Sequence, residues 1–113
     1  MKLPNASNAT VEREKIVDYL LNTEHPIGAS KAHFFTHFGF SVDKWKSLAD
    51  ALLAHGQTGT VAQTRQTKHG PRYEVEGRLQ TPAGRTPFIR SVWQLDDGAV
   101  APRLITAYPL DAQ

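Results

Sequence analysis

The chain has 113 residues, 40% hydrophobic and 21% charged, a length that fits one domain spanning 1–113. It contains no cysteine, which excludes disulfides, thiolate nucleophiles and cysteine-ligated zinc or iron–sulfur centres. The formal net charge is only +2: residues 1–57 carry six basic and six acidic side chains, and 58–113 carry seven and five, six of those seven being arginine. Arginine presents a planar fork that matches phosphate, where lysine offers a point charge.

The opening Leu3-Pro4-Asn5-Ala6-Ser7-Asn8 reads as an extended arm or turn. Three helices are expected next. Thr10 is a candidate N-cap for the first, with Glu12 and Glu14 near the positive end of its dipole and Ile16, Val17, Leu20 and Leu21 forming an apolar stripe. The second is expected over 30–38, capped by Ser30 and closed by Gly39, and it carries Phe34, Phe35 and Phe38. The third is expected from Ser41 to Gly56, where Trp45, Leu48, Ala49, Leu52 and Leu53 recur at helical spacing. The helical half therefore spans 1–57.

From Thr58 onward Thr, Val, Tyr, Phe, Ile and Trp dominate, and four strands are expected over 58–67, 72–79, 86–95 and 103–108. His69-Gly70, Pro82-Ala83-Gly84 and Asp96-Asp97-Gly98 supply turns short enough for antiparallel hairpins, hence a meander. Tyr73, Val75 and Leu79 alternate with Arg72, Glu74, Glu76 and Arg78, so one face of the second strand should be wet. The third strand is apolar on both sides and should be central. Helices first and strands after predict an α+β domain, three helices on one face of a four-stranded antiparallel sheet. The opposite face should be partly polar, carrying Arg90 with Arg72 or Arg78.

No GxGxxG, Walker loop, HExxH or GxSxG is present. The stretch Glu24-His25-Pro26-Ile27-Gly28-Ala29-Ser30-Lys31-Ala32-His33 sets a histidine before a helix and a lysine in its first turn, against the helix dipole. Histidine suits proton transfer near neutral pH; the same residues also read as a turn and a solvated face. His33 and His37 have the i, i+4 spacing of metal ligands, but no carboxylate shares their face, so no metal is expected. Thr106 and Tyr108 point to one face of the last strand, where their hydroxyls would meet a phosphate beside Arg90; Pro109 is read as the strand terminator.

The segments Leu3-Pro4-Asn5-Ala6, Tyr19-Leu20-Leu21-Asn22, His25-Pro26, Gly28, Ser30-Lys31, Phe34-Phe35, Gly39-Phe40, Val92-Trp93 and Pro102-Arg103-Leu104-Ile105-Thr106-Ala107-Tyr108-Pro109 resemble, over almost the whole chain, an uncharacterised bacterial domain family. More loosely, helices followed by a four-stranded sheet closing on Ile105-Thr106-Ala107-Tyr108-Pro109 look like the barnase/EndoU/colicin/RelE group of small nuclease folds. That resemblance implies a toxin-type, metal-independent endoribonuclease with no cofactor, acting on RNA in the cytoplasm. It also implies a cognate immunity protein as partner and a place at the C-terminal end of a larger secreted protein. No membrane association is expected, because no apolar run approaches the roughly 18 residues of a membrane span. The catalytic candidates are then His25, Lys31, Arg90, Thr106 and Tyr108, and the substrate-binding candidates His33, Arg72 and Arg78. A non-enzymatic binding module, antitoxin-like, adaptor-like or RNA-binding, using the arginine-bearing sheet face is the competing expectation, favoured by the small net charge.

Overall fold

Helix-forming segments occupy the first half of the chain and strands the second. A computed structural model describes residues 1–110 of the chain. A 3₁₀ turn, Ala6–Asn8, precedes α1, Arg13–Lys15, which widens into a π-helical turn, Ile16–Leu20. Then come α2, Ala29–His37, and α3, Trp45–Thr58. The strands are β1, Thr60–Thr67; β2, Gly70–Arg78; β3, Phe88–Gln94; and β4, Arg103–Pro109. They pair antiparallel in the order β1-β2-β3-β4, which is the expected meander. Among the described residues no helix is long and apolar enough to cross a membrane.

The helix starts depart from the sequence reading. Thr10 caps nothing: its N–H donates to Pro102 and its carbonyl accepts from Leu104, a parallel bridge that covers one end of the free edge of β4. Backbone pairing to an open strand edge outcompetes the side-chain cap. Gly28 takes the cap position of α2, and Lys44 that of α3, where Ser30 and Ser41 were expected. The end of α2 is as expected: Gly39 N–H donates to Thr36 O and Phe40 N–H to Phe35 O, with the Phe35 and Phe40 rings 6.3 Å apart. That double bond with its apolar contact is a Schellman closure.

Gly56 does not end α3. It lies buried inside the helix, where a Cβ would stand 2.6 Å from the Trp93 ring. Glycine there serves close helix–sheet approach, not termination. One hydrogen-bonded chain fixes the same contact. His55 Nε2–H donates to the carbonyls of Gly77 and Ile89 at 3.1 and 3.2 Å, so its Nδ1 accepts from Ser91 Oγ at 2.7 Å, and Trp93 Nε1–H donates to that Oγ at 2.8 Å. His55 is 2% exposed, and burial holds its pKa below the usual value of 6.5.

Ile16, Leu20, Leu21, Phe35, Leu48 and Leu52 from the helices pack on Tyr73, Val75, Ile89, Trp93, Leu104 and Ala107 from the sheet. The strand register puts Arg72, Glu74, Glu76, Arg90, Val92, Gln94, Thr106 and Tyr108 on the other face. That face is less wet than expected, since Glu74, Val92 and Gln94 are all buried. β4 ends on Pro109, as expected of a terminator, although Pro109 itself still pairs with Ile89 and Leu110 N–H donates to Phe88 O. An edge strand tolerates the missing N–H on its open side.

Candidate functional site

The π turn decides where Tyr19 goes. Its extra residue per turn is seen in the bond from Leu21 N–H to Ile16 O at 2.8 Å. Ile16 and Leu20 stay buried, while Tyr19 reaches the edge of β4 and shares a 2.9 Å hydrogen bond with Thr106 Oγ1. Gly28 packs flat on the Tyr19 ring, where a Cβ would come within 2.7 Å. Lys15 Nζ and Lys31 Nζ stand 5.4 and 5.8 Å from the same ring, in cation–π range. The His25 ring meets it edge-on at 5.1 Å. Lys15, Tyr19, His25, Ile27, Ile105 and Thr106 line a cleft of about 420 Å³.

The ring of His25 has a fixed polarity. Its Nδ1 accepts backbone N–H bonds from Ile27 at 3.0 Å and Gly28 at 2.9 Å, so the neutral ring carries its proton on Nε2. Using Nε2 as a proton acceptor would require Nδ1 to release both N–H groups and open the turn that leads into α2. In this geometry His25 is a donor.

Beside the cleft, one step along β4, lies a charged cluster on the outer sheet face. Arg90 donates to Glu76 Oε2 through Nε at 3.2 Å and through Nη2, and to the Tyr108 hydroxyl through Nη1 at 3.1 Å. These bonds, Glu76 first and Tyr108 second, raise its pKa above the usual guanidinium range. Because the Tyr108 oxygen accepts from Arg90, its own O–H remains free to donate. Arg65 Nε–H donates to Glu74 Oε2 at 2.7 Å. Glu74 Oε1 lies 3.2 Å from Arg90 Nη1 but lacks hydrogen-bond geometry, and among the described residues it is the buried side-chain polar atom without a partner.

The sequence candidates thus divide. His25, Lys31 and Thr106 gather around Tyr19; Arg90 and Tyr108 sit in the adjoining cluster, and Thr106 and Tyr108, two residues apart on one face, join the two. Arg72 points to the same face, its Nε–H on Gln94 Oε1 at 3.0 Å. Arg78 is at the far end of β2, donating to Thr86 O, and His33 is exposed on α2. Among the described residues no group of three or more His, Cys, Asp or Glu side chains is gathered for a metal ion. Sequence reasoning missed Tyr19, Lys15, Arg65 and Glu74. Tyr19 left no signal, because a regular helix would have turned it elsewhere. Glu74 left one, as a carboxylate two residues from Arg72 on the same strand face; it pairs with Val92, and Arg90, the partner of Glu76, lies diagonal to it.

In fold the chain is similar to one in a solved contact-dependent growth inhibition toxin–immunity protein complex from Klebsiella pneumoniae 342, with a TM-score of 0.71 over 96% of this chain and 98% of that one. At 19% identity the likeness concerns the fold alone. No match is found among curated proteins. Residues 2–111 match the family described as "Domain of unknown function (DUF6883)", and the chain belongs to that family.

Proposed function

We propose that the chain is a toxin-type endoribonuclease that cleaves RNA without a metal ion, by attack of a ribose 2′-OH on the adjacent phosphate. One observation carries the reading: Arg90 and the free hydroxyl of Tyr108 adjoin, through Thr106, the cleft of Tyr19, His25 and Lys15. The likeness in fold to a chain of a toxin–immunity complex supports it, as does the resemblance to the small nuclease group.

Cleavage of this kind needs cations on the phosphorane and a proton for the leaving 5′-oxygen. Arg90 binds the scissile phosphate and Tyr108 gives its proton to the 5′-oxygen. His25 Nε2–H, Lys15 and Lys31 hold the neighbouring nucleotide, and the Tyr19–Thr106 hydroxyl pair orients its ribose. Arg72 binds RNA further along the sheet face. The protein works in the cytoplasm of its target, as the C-terminal part of a longer secreted protein, and an immunity protein covers this face.

A second reading, a binding module on the immunity side of such a pair, is favoured by one observation. Both Glu74 and Glu76 neutralise Arg90, so the face carries compensated charge. Expression in bacteria without a partner separates the two. The nuclease arrests growth with loss of intact RNA, and Tyr108→Phe relieves the arrest; a binding module expresses without effect.

A further inference from the structure

The proposed reaction lacks one participant. His25 donates from Nε2, Lys15 and Lys31 act as cations, and Tyr108 donates to the leaving oxygen, so none of these takes the 2′-OH proton. Glu74 is the anomaly nearby. Its side chain is only 8% exposed although it projects from the solvent side of the sheet, and one of its oxygens has no hydrogen bond. A purely structural ion pair normally satisfies both oxygens. Here Arg65 holds Oε2, while Arg90 Nη1, which donates to Tyr108, stands 3.2 Å from Oε1 without hydrogen-bond geometry to it.

We propose that Glu74 is the catalytic base of this site, its Oε1 taking the proton of the attacking 2′-OH. The proposal rests on the nuclease reading. Glu74 Oε1 is 3.2 Å and the Tyr108 oxygen 3.1 Å from the same nitrogen, Arg90 Nη1. The two oxygens are therefore no more than about 6 Å apart, with the phosphate-binding nitrogen between them, so each can reach its own side of one phosphate by a hydrogen bond. Arg65 is the cover. Its side chain is 59% exposed, and an incoming phosphodiester draws the guanidinium away and opens the carboxylate. The proton then passes from O2′ to Glu74 Oε1 as the O2′–P bond forms. The P–O5′ bond breaks, and O5′ takes the Tyr108 proton. The products are a 2′,3′-cyclic phosphate and a 5′-hydroxyl, and water returns the proton from Glu74 to Tyr108.

The test is single-turnover cleavage of a defined oligoribonucleotide across pH by the native chain and Glu74→Gln, with binding measured on the uncleavable 2′-O-methyl version. Glu74→Gln keeps the shape and a hydrogen-bond acceptor for Arg65 but cannot act as base. It is expected to bind the analogue as well as the native chain, to cleave about 100-fold more slowly or worse, and to lose the fall in rate toward acid pH. Should Glu74→Gln fail to fold, Glu74→Asp serves: the charge stays one methylene short, so the rate drops while the acid fall persists. A Gln variant that cleaves at the native rate overturns the assignment and leaves the nuclease reading standing, as does an Asp variant cleaving at the native rate. Equal loss of rate and analogue binding also overturns it. A native chain that leaves the RNA intact overturns both.

Discussion

Arg90 is the residue on which structure and chemistry make opposing demands. It holds the two carboxylates of the sheet face together, so removing it does more than delete the proposed phosphate contact. Arg90→Ala leaves Glu74 buried beside Arg65 alone, and is expected to destabilise the fold by about 2 kcal/mol, seen as a lower urea midpoint. Loss of function in that variant is therefore ambiguous, and Tyr108→Phe is the cleaner probe. His25 poses the same problem in milder form. Its Nδ1 satisfies two N–H groups at the entry to α2, and His25→Ala is expected to cost about 1 kcal/mol in a denaturation experiment. Gly28→Ala acts on the site from behind, since the new methyl must displace the Tyr19 ring or its backbone. We expect the Tyr19–Thr106 hydrogen bond to break and cleavage to fall with little change in the far-ultraviolet circular dichroism. His25, Thr106 and Tyr108 were legible in the sequence because their residue types advertise chemistry. The meeting of Tyr19 with His25 and Thr106, and of Glu74 with Arg65 and Arg90, was not, because a π turn and a cross-strand register decide what those two side chains meet.

At the scale of elements, the docking of α3 on the sheet depends on a glycine and a neutral histidine. Gly56→Ala pushes a methyl group into Trp93 at 2.6 Å, and a loss of about 2 kcal/mol is expected from thermal or urea unfolding. His55 makes the same contact pH-dependent. Its folded pKa lies below 6.5, so the unfolded chain binds its proton first as pH falls. The contribution is complete above pH 6.5 and is lost progressively below it, by at most about 1.4 kcal/mol per pH unit from this one group. Urea midpoints should fall accordingly on acidification, and His55→Gln, though less stable throughout, should lack this component. The expected strands and turns came close to the observed ones, because alternating apolar residues and turn glycines act locally. Apart from Gly39 the caps did not: Thr10 is claimed by the edge of β4 and Gly56 by Trp93, both long-range partners that no local pattern reveals.

For the whole molecule, the small net charge turns out to matter less than its arrangement. Arg65, Arg72 and Arg90 share one face with Glu74 and Glu76, and the helical half adds Lys15 and Lys31 at its rim. The α+β plan, with helices before strands, was readable from the switch in periodicity at Thr58; the meeting of the two halves at Tyr19 and Thr106 was not. The central claim is that this meeting place cleaves RNA by itself. It is tested most directly by incubating the purified chain with mixed cellular RNA in EDTA and identifying the ends of any fragments. The account predicts fragments with 2′,3′-cyclic phosphate and 5′-hydroxyl ends; RNA left intact at high protein concentration, or cleavage that EDTA abolishes, would contradict it.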